Sequence, residues 1–217
     1  KAMGDVFRKQ AGKMYDKVNI RELYDQKATR REIISALKWL KAGTTANDVA
    51  LIFIAAHGQN TDANNYCILP VDVDVADVEA TSVDWNDFEV LGDIPARVLL
   101  FLDTCHSGQL GQNLAQINNT EAVRKLSSDD YGVVIFSASR GTESSVENAE
   151  WGHGAFTKAV LEGIAEGKAD YSKDGKIELP ELEMYVIDQV TTLTDNQQHP
   201  NTQKPSTISR FPIAQVK

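Results

Sequence analysis

The chain has 217 residues, 42% of them hydrophobic and 24% charged, with a formal net charge of −9. This suffices for one sizeable core in a single domain over 1–217 with a polar tail from about 195, while the acidic balance excludes nucleic acid as the main partner and suits a basic peptide. No apolar run reaches the ~18 residues that a membrane-spanning helix needs, and two cysteines, Cys67 and Cys105, are too few for a disulfide scaffold and read as free thiols.

In chain order, the opening stretch KAMGDVFRKQAGKMYDKV is helical in pattern, and KVNIREL reads as a strand. It begins at Lys1 without a methionine, which leaves room for a lost upstream segment; the expected location is cytoplasmic. ATRREIISALKWLKAG follows as a helix, with Thr29 and Glu32 as a capping box, Ile33, Leu37 and Leu40 on one face, and Gly43 closing it. DVALIFIAAH is a fully apolar strand ending at His57, and RVLLFLDTC is another ending at Cys105. YGVVIFSAS repeats the pattern, and HGAFTKAVLEGIAEG is a helix with Phe156, Val160 and Ile164 in line. Short apolar runs alternating with helices predict a parallel α/β sheet. The stretch GQLGQNLAQINNTEAVRKLSSDD and the polar tail from Asp195 read as flexible surface.

His57 and Cys105 stand at the same place on two different strands. In an open parallel sheet functional groups gather at the carboxyl edge, so neighbouring strands present these two residues side by side. Each carries its own turn, HG for one and CHSG for the other. Taken singly, a strand-end histidine is a structural hydrogen-bonding residue and a cysteine a packing residue; the matched pair reads as a catalytic dyad. A free thiol is a weak nucleophile near neutral pH, and His57 is the base that activates Cys105 and then protonates the leaving amine. The backbone amides of Gly58 and Cys105 are the natural pair of donors for the oxyanion. His106 is a rival base, but adjacent residues of an extended chain face opposite ways.

Through FIAAHGQ, LFLDTCHSGQ, FSASRGTESS and HGAFTKAV, spread over about 50 to 160, the sequence resembles the caspase-like cysteine peptidases, in the metacaspase and bacterial caspase-homologue branch. The 48 residues from His57 to Cys105 are close to the roughly 50 between these residues in caspases. The resemblance implies a caspase-like, mostly parallel α/β sheet flanked by helices, and peptide-bond hydrolysis through a thioester. Two departures stand out. Ala55 and Ala56 replace the small polar or glycine pair that usually precedes the histidine. The family's first strand, which lies inside the sheet, is absent ahead of the first helix, so the expectation is that a second chain or segment supplies it.

Substrate choice is read from charge. Where Asp-specific caspases carry glutamine two places before the nucleophile, this chain has Asp103, and past the next strand GTESSVEN offers Ser144, Ser145 and Glu147. An acidic pocket attracts Arg or Lys and repels Asp, and the resemblance to metacaspases implies the same preference. The plain alternatives are a strand-end turn residue for Asp103 and a solvated loop charge for Glu147. DYSKDGKIELPE sets Asp170, Ser172, Asp174 and Glu181 at positions 1, 3, 5 and 12 of a calcium-binding loop with Gly175 at 6, though it equally suits a charged turn before a helix. No cofactor is required for the chemistry; calcium is a candidate regulator, and the resemblance to metacaspases independently raises it. Arg124 and Lys125, in the long segment after the Cys105 strand, are candidate self-cleavage points, the alternative being a short surface helix over TEAVRKL. The competing functions are a catalytically silent scaffold and a calcium-sensing interaction module built on the 170–181 loop.

Overall fold

The computed structural model describes residues 1–61, 66–106, 121–139, 143, 146–148 and 151–216, with the backbone alone at 60, 105, 106, 121, 122, 147 and 148. In chain order the elements are α1 (Ala2–Arg8), α2 (Arg30–Gly43), β1 (Val49–Asn60), β2 (Tyr66–Ile68), α3 (Val78–Thr81), β3 (Val83–Asp84), a 3-10 stretch (Asp87–Asp93), β4 (Arg97–His106), α4 (Glu121–Leu126) and β5 (Val133–Ser137). There follow β6 (Glu147–Asn148), β7 (His153–Gly154), α5 (Ala155–Ala165), β8 (Lys176–Glu178), α6 (Leu179–Leu193), β9 (Asn201–Gln203) and β10 (Pro212–Gln215).

The apolar runs form the middle of a six-stranded mixed sheet of order β3-β2-β1-β4-β5-β9. Its two longest ladders, β1 with β4 and β4 with β5, are parallel, and antiparallel pairs close both sides. The sheet lies within one compact unit, Leu23–Ser144 with Asn201–Thr207. A strand buried on both faces reads as a continuous apolar run, which is why Val98–Leu102 shows no alternation; all five residues are buried. One face carries Ala50, Val98, Leu100, Leu102, Val133 and Ile135, covered by Leu37 of α2, Phe88 and Leu91 of the 3-10 stretch, and Val123 and Leu126 of α4. On the other face Phe101 and Phe136 stack with ring centres 4.7 Å apart. Burying such side chains stabilises by about 1.5–3 kcal/mol each.

Helix α2 starts as its sequence requires, with the Thr29 hydroxyl accepting the Glu32 amide. Arg30 then ties its first turn to the chain beyond β2. Its amide donates to Asp72, its Nε donates to the Ser82 carbonyl, and its guanidinium grips both oxygens of Asp87.

Strand β1 is one-sided. Beyond His57 it pairs with β2, from Gly58 to Asn60, but along Val49–Ala56 β4 lies on one side and, among the described residues, no strand lies on the other.

The second unit comprises Lys1–Glu22, Ser145–Pro200 and Ile208–Lys217. Its core joins Phe156, Val160 and Ile164 of α5 to Leu182, Tyr185 and Val186 of α6. The Gln10 side chain behaves like a strand neighbour of β10, donating to the Gln215 carbonyl at 3.1 Å and accepting the Gln215 amide at 2.7 Å.

Three expectations need correction. KVNIREL forms no strand: its apolar residues Val18, Ile20 and Leu23 are only half-buried, and short alternation does not by itself supply a ladder partner. The stretch from Asp195 is not surface throughout. Gln198, Phe211, Ile213 and Ala214 are buried, and β9 and β10 are strands, because ladder pairing gives their polar backbone a partner that side-chain pattern does not advertise. The His57 strand also does not stop at His57 but runs on to Asn60, where β2 takes over as its neighbour.

Candidate active site

Strands β1 and β4 run parallel in unbroken register from Val49 opposite Arg97 to Gly58 opposite His106. Within that ladder His57 is the direct partner of Cys105. The 48-residue spacing is thus one complete excursion that returns the chain beside itself in register. In-register residues of neighbouring strands fall on one face of a pleated sheet, as do residues two apart along a strand. His57, Cys105, Asp103 and Ala55 therefore share a face, at the carboxyl ends of both strands. His106 is opposite Gly58 and belongs to the other face.

The His57 ring is exposed, while its carbonyl is held by the Leu69 amide at 2.9 Å. Gly58, next along, is buried. A Cβ there would run into the Tyr66 hydroxyl, so the close approach of β2 requires glycine at this position. Asp103 is 8% exposed and stands opposite Ala55. Ala55, opposite it, is itself exposed.

Cys67, the other thiol, is buried and free, with Sγ 3.4 Å from the Gln59 carbonyl. Burial pushes its pKa up, which suppresses the thiolate. It is a packing residue.

The family described as metacaspase, peptidase C14 domain, matches residues 6–113, a span that contains both strands of the ladder. Residues 6–113 belong to the caspase-like peptidase family. Among solved structures, this caspase-like peptidase is similar to a structural-genomics protein from Geobacter sulfurreducens, at TM-score 0.65 and 16% identity over 100% of this chain and 89% of the other. It is also similar to caspase-1 from Spodoptera frugiperda, at TM-score 0.56 and 14% identity over 94% of this chain and 78% of the other. At such identities the likeness is one of fold. No curated protein gives a significant sequence match. Family membership makes cysteine peptidase activity on protein or peptide substrates the coarse assignment. Among the described residues no helix is long and apolar enough to cross a membrane.

The remaining candidates are dispersed. Ser144 and Ser145 lie outside the described residues. Glu147 is on β6, in the second unit, where it pairs with Gly154 of β7. Arg124 and Lys125 are exposed on helix α4.

The 170–181 loop has its carboxylates turned to backbone. Asp170 is buried and accepts the Gly175 amide at 3.1 Å, Asp174 accepts the Lys176 amide at 2.9 Å, and Ser172 donates its amide to Glu181 at 2.8 Å. The second Glu181 oxygen accepts the Glu178 amide at 3.0 Å, half of a capping box that starts α6. Gly175 has φ +84°, a conformation that suits glycine. Among the described residues no group of three or more His, Cys, Asp or Glu is arranged to hold a metal.

One buried polar residue carried no sequence signal. Gln198 is fully buried, and its Oε1 accepts the Val146 amide at 2.7 Å, next to Glu147. In TDNQQHP it is one polar residue among several.

Proposed function

We propose that the chain is a cysteine endopeptidase that cleaves after Arg or Lys, with Cys105 as nucleophile and His57 as its base. The observation that carries this reading is the register of β1 on β4, which pairs His57 with Cys105. His57 takes the thiol proton and the Cys105 sulfur attacks the scissile carbonyl, giving a tetrahedral oxyanion stabilised by the amides of Gly58 and Cys105. Collapse breaks the C–N bond, the imidazolium returns its proton to the leaving amine, and a thioester remains on Cys105. Water, deprotonated by His57, then attacks the thioester and releases the acid and the thiol. An exposed imidazole suits both proton transfers, since substrate and water must each reach it.

Asp103 supports the basic preference. It lies two residues before Cys105 on the same face, and burial strengthens the attraction of its carboxylate for a guanidinium or ammonium group. From the sequence alone we add Ser144, Ser145 and Glu147 to the proposal as recognition residues. The one-sided stretch of β1 fits an extended apolar segment, from upstream sequence or from a second chain, and is the place we assign to the missing first strand.

The test is cleavage of a peptide library by the parent protein and by Cys105→Ala and His57→Ala. Each substitution removes at least about a thousandfold of rate, because nucleophile and base act as a unit. Full activity in Cys105→Ala refutes the assignment, and a folded parent that neither cleaves nor is labelled at Cys105 by a thiol-reactive peptide returns the chain to the silent-scaffold reading.

A further inference from the structure

The backbone that follows His57 is braced from behind the sheet. Gly58 stands opposite Ile68 of β2 and His106 of β4. Tyr66, two residues before Ile68, lies on the same face, packed in the core with Leu100 and Leu102. This is the face away from His57, Asp103 and Cys105. Tyr66 is 1% exposed, and its hydroxyl and ring carbon Cζ fill the space that a Cβ on Gly58 would take, with the Cys67 carbonyl oxygen 3.0 Å from that point. Just past β2, the Leu69 amide holds the His57 carbonyl at 2.9 Å. The main chain at His57 and Gly58 is thus held along its edge by the end of β2 and pressed from the back by the Tyr66 ring.

The ring has little freedom of its own. It lies 6.4 Å from the ring of Trp85, which lies 5.6 Å from that of Phe88, and all three are buried. Arg30 fixes the stretch that carries Trp85 and Phe88, holding the Ser82 carbonyl on one side of Trp85 and both oxygens of Asp87 on the other. A row of packed aromatic rings transmits position, because a close-packed interior leaves no slack for a ring to yield into. From this we infer that Tyr66 is a positioning residue for the oxyanion site: it sets the Gly58 backbone, and with it the amide that meets the developing negative charge. The inference rests on the proposed role of the Gly58 amide. Tyr66, on the opposite face of the sheet, takes no part in bond making or breaking.

An oxyanion donor acts on the transition state, so a displaced donor lowers kcat and kcat/KM together and leaves KM unchanged. Alkylation of Cys105 by iodoacetamide passes through no oxyanion and reports the thiolate alone. A merely structural defect at the strand ends moves both rates; a defect confined to the Gly58 amide moves only the first. The experiment measures kcat and KM on a peptide that the parent cleaves and Cys105→Ala does not. The alkylation rate at Cys105 is followed by peptide mapping. The proteins are the parent, Tyr66→Phe and Tyr66→Leu.

We expect Tyr66→Leu, which empties the space behind Gly58, to lower kcat about tenfold, with KM and the alkylation rate within about twofold of the parent. Tyr66→Phe keeps the ring and loses only the hydroxyl, and its kcat falls about threefold. If kcat and alkylation fall alike in Tyr66→Leu, the residue holds the strand as a whole and positioning of the oxyanion donor is overturned. A kcat within about twofold of the parent, or a loss that appears in KM, overturns it as well. A folded parent that cleaves no peptide removes the enzyme reading beneath the inference, which is a separate outcome. Should Tyr66→Leu not fold, Tyr66→Phe, which fills the same space but for one oxygen, carries the test. A threefold fall in kcat with unaltered alkylation then supports the inference, and the parent's kcat overturns it.

Discussion

Lys125 on α4 is paired with Glu89 at 2.8 Å, and its ammonium lies 5.2 Å from the centre of the Tyr131 ring. Its pKa is pushed up to about 12, chiefly by the hydrogen bond to Glu89 and then by Tyr131. A peptide bond in a helix must open locally before an extended active-site cleft can receive it. If the chain cuts itself after Arg124 or Lys125, the cut is at least about tenfold slower than that of a free peptide of the same sequence, and Glu89→Ala accelerates it. Mass spectrometry of the incubated protein, with Cys105→Ala as blank, gives both rates. Equal rates for chain and peptide contradict the helical restraint.

Asp103 is the buried acid beside the proposed nucleophile. Asp103→Asn keeps the shape and removes the charge, so the ratio of kcat/KM for Arg over citrulline peptides is expected to fall about tenfold, about 1.4 kcal/mol. An unchanged ratio assigns the carboxylate to a local turn.

Glu181 accepts two backbone amides, from Ser172 and Glu178. Glu181→Ala loses both and is expected to cost about 1–2 kcal/mol in a denaturant titration. An ion in the 170–181 loop would have to compete with those amides. We expect the same melting temperature with and without millimolar calcium; a calcium-dependent rise that Asp170→Ala abolishes would instead make this loop a calcium site.

Asp129 accepts the Ser206 hydroxyl at 2.6 Å and the Thr207 amide at 3.1 Å, and these hydrogen bonds hold its pKa below the ordinary aspartate value. A depressed folded pKa means that the tether is intact at neutral pH, contributes fully above the unfolded pKa, and is lost as pH falls through the lowered folded value. The Thr207 methyl resonance should therefore titrate below the usual aspartate range. In Asp129→Asn that step should vanish.

How legible the fold was depends on where each segment finds its partners. The β1 and β4 strands were readable because long apolar runs ended in polar residues, and α2 because Thr29 and Glu32 mark its start within four residues. Their register was not readable, since hydrophobic pattern fixes which face is buried and not which residue stands opposite which. Strand β9 was hidden for the opposite reason. Asn201, Thr202 and Gln203 are polar and half-buried, and they form a strand because β5 offers them an edge. That His57 and Cys105 lie side by side at the sheet's carboxyl edge followed from two strand ends, though their register did not; the burial of Gln198 was hidden, because its partner is a main-chain amide.

The one-sided stretch of β1 has a consequence for how its backbone meets water. Successive residues of a strand direct their N–H groups alternately to one side and the other. From Val49 to Ala56, every second amide faces β4 and the amides between them face the open side. Protons on this strand should exchange with solvent in a slow–fast alternation of period two. From Val98 to Leu102, β4 has neighbours on both sides, and its amides should be slow without interruption. An added strand on the open side of β1 would abolish the alternation.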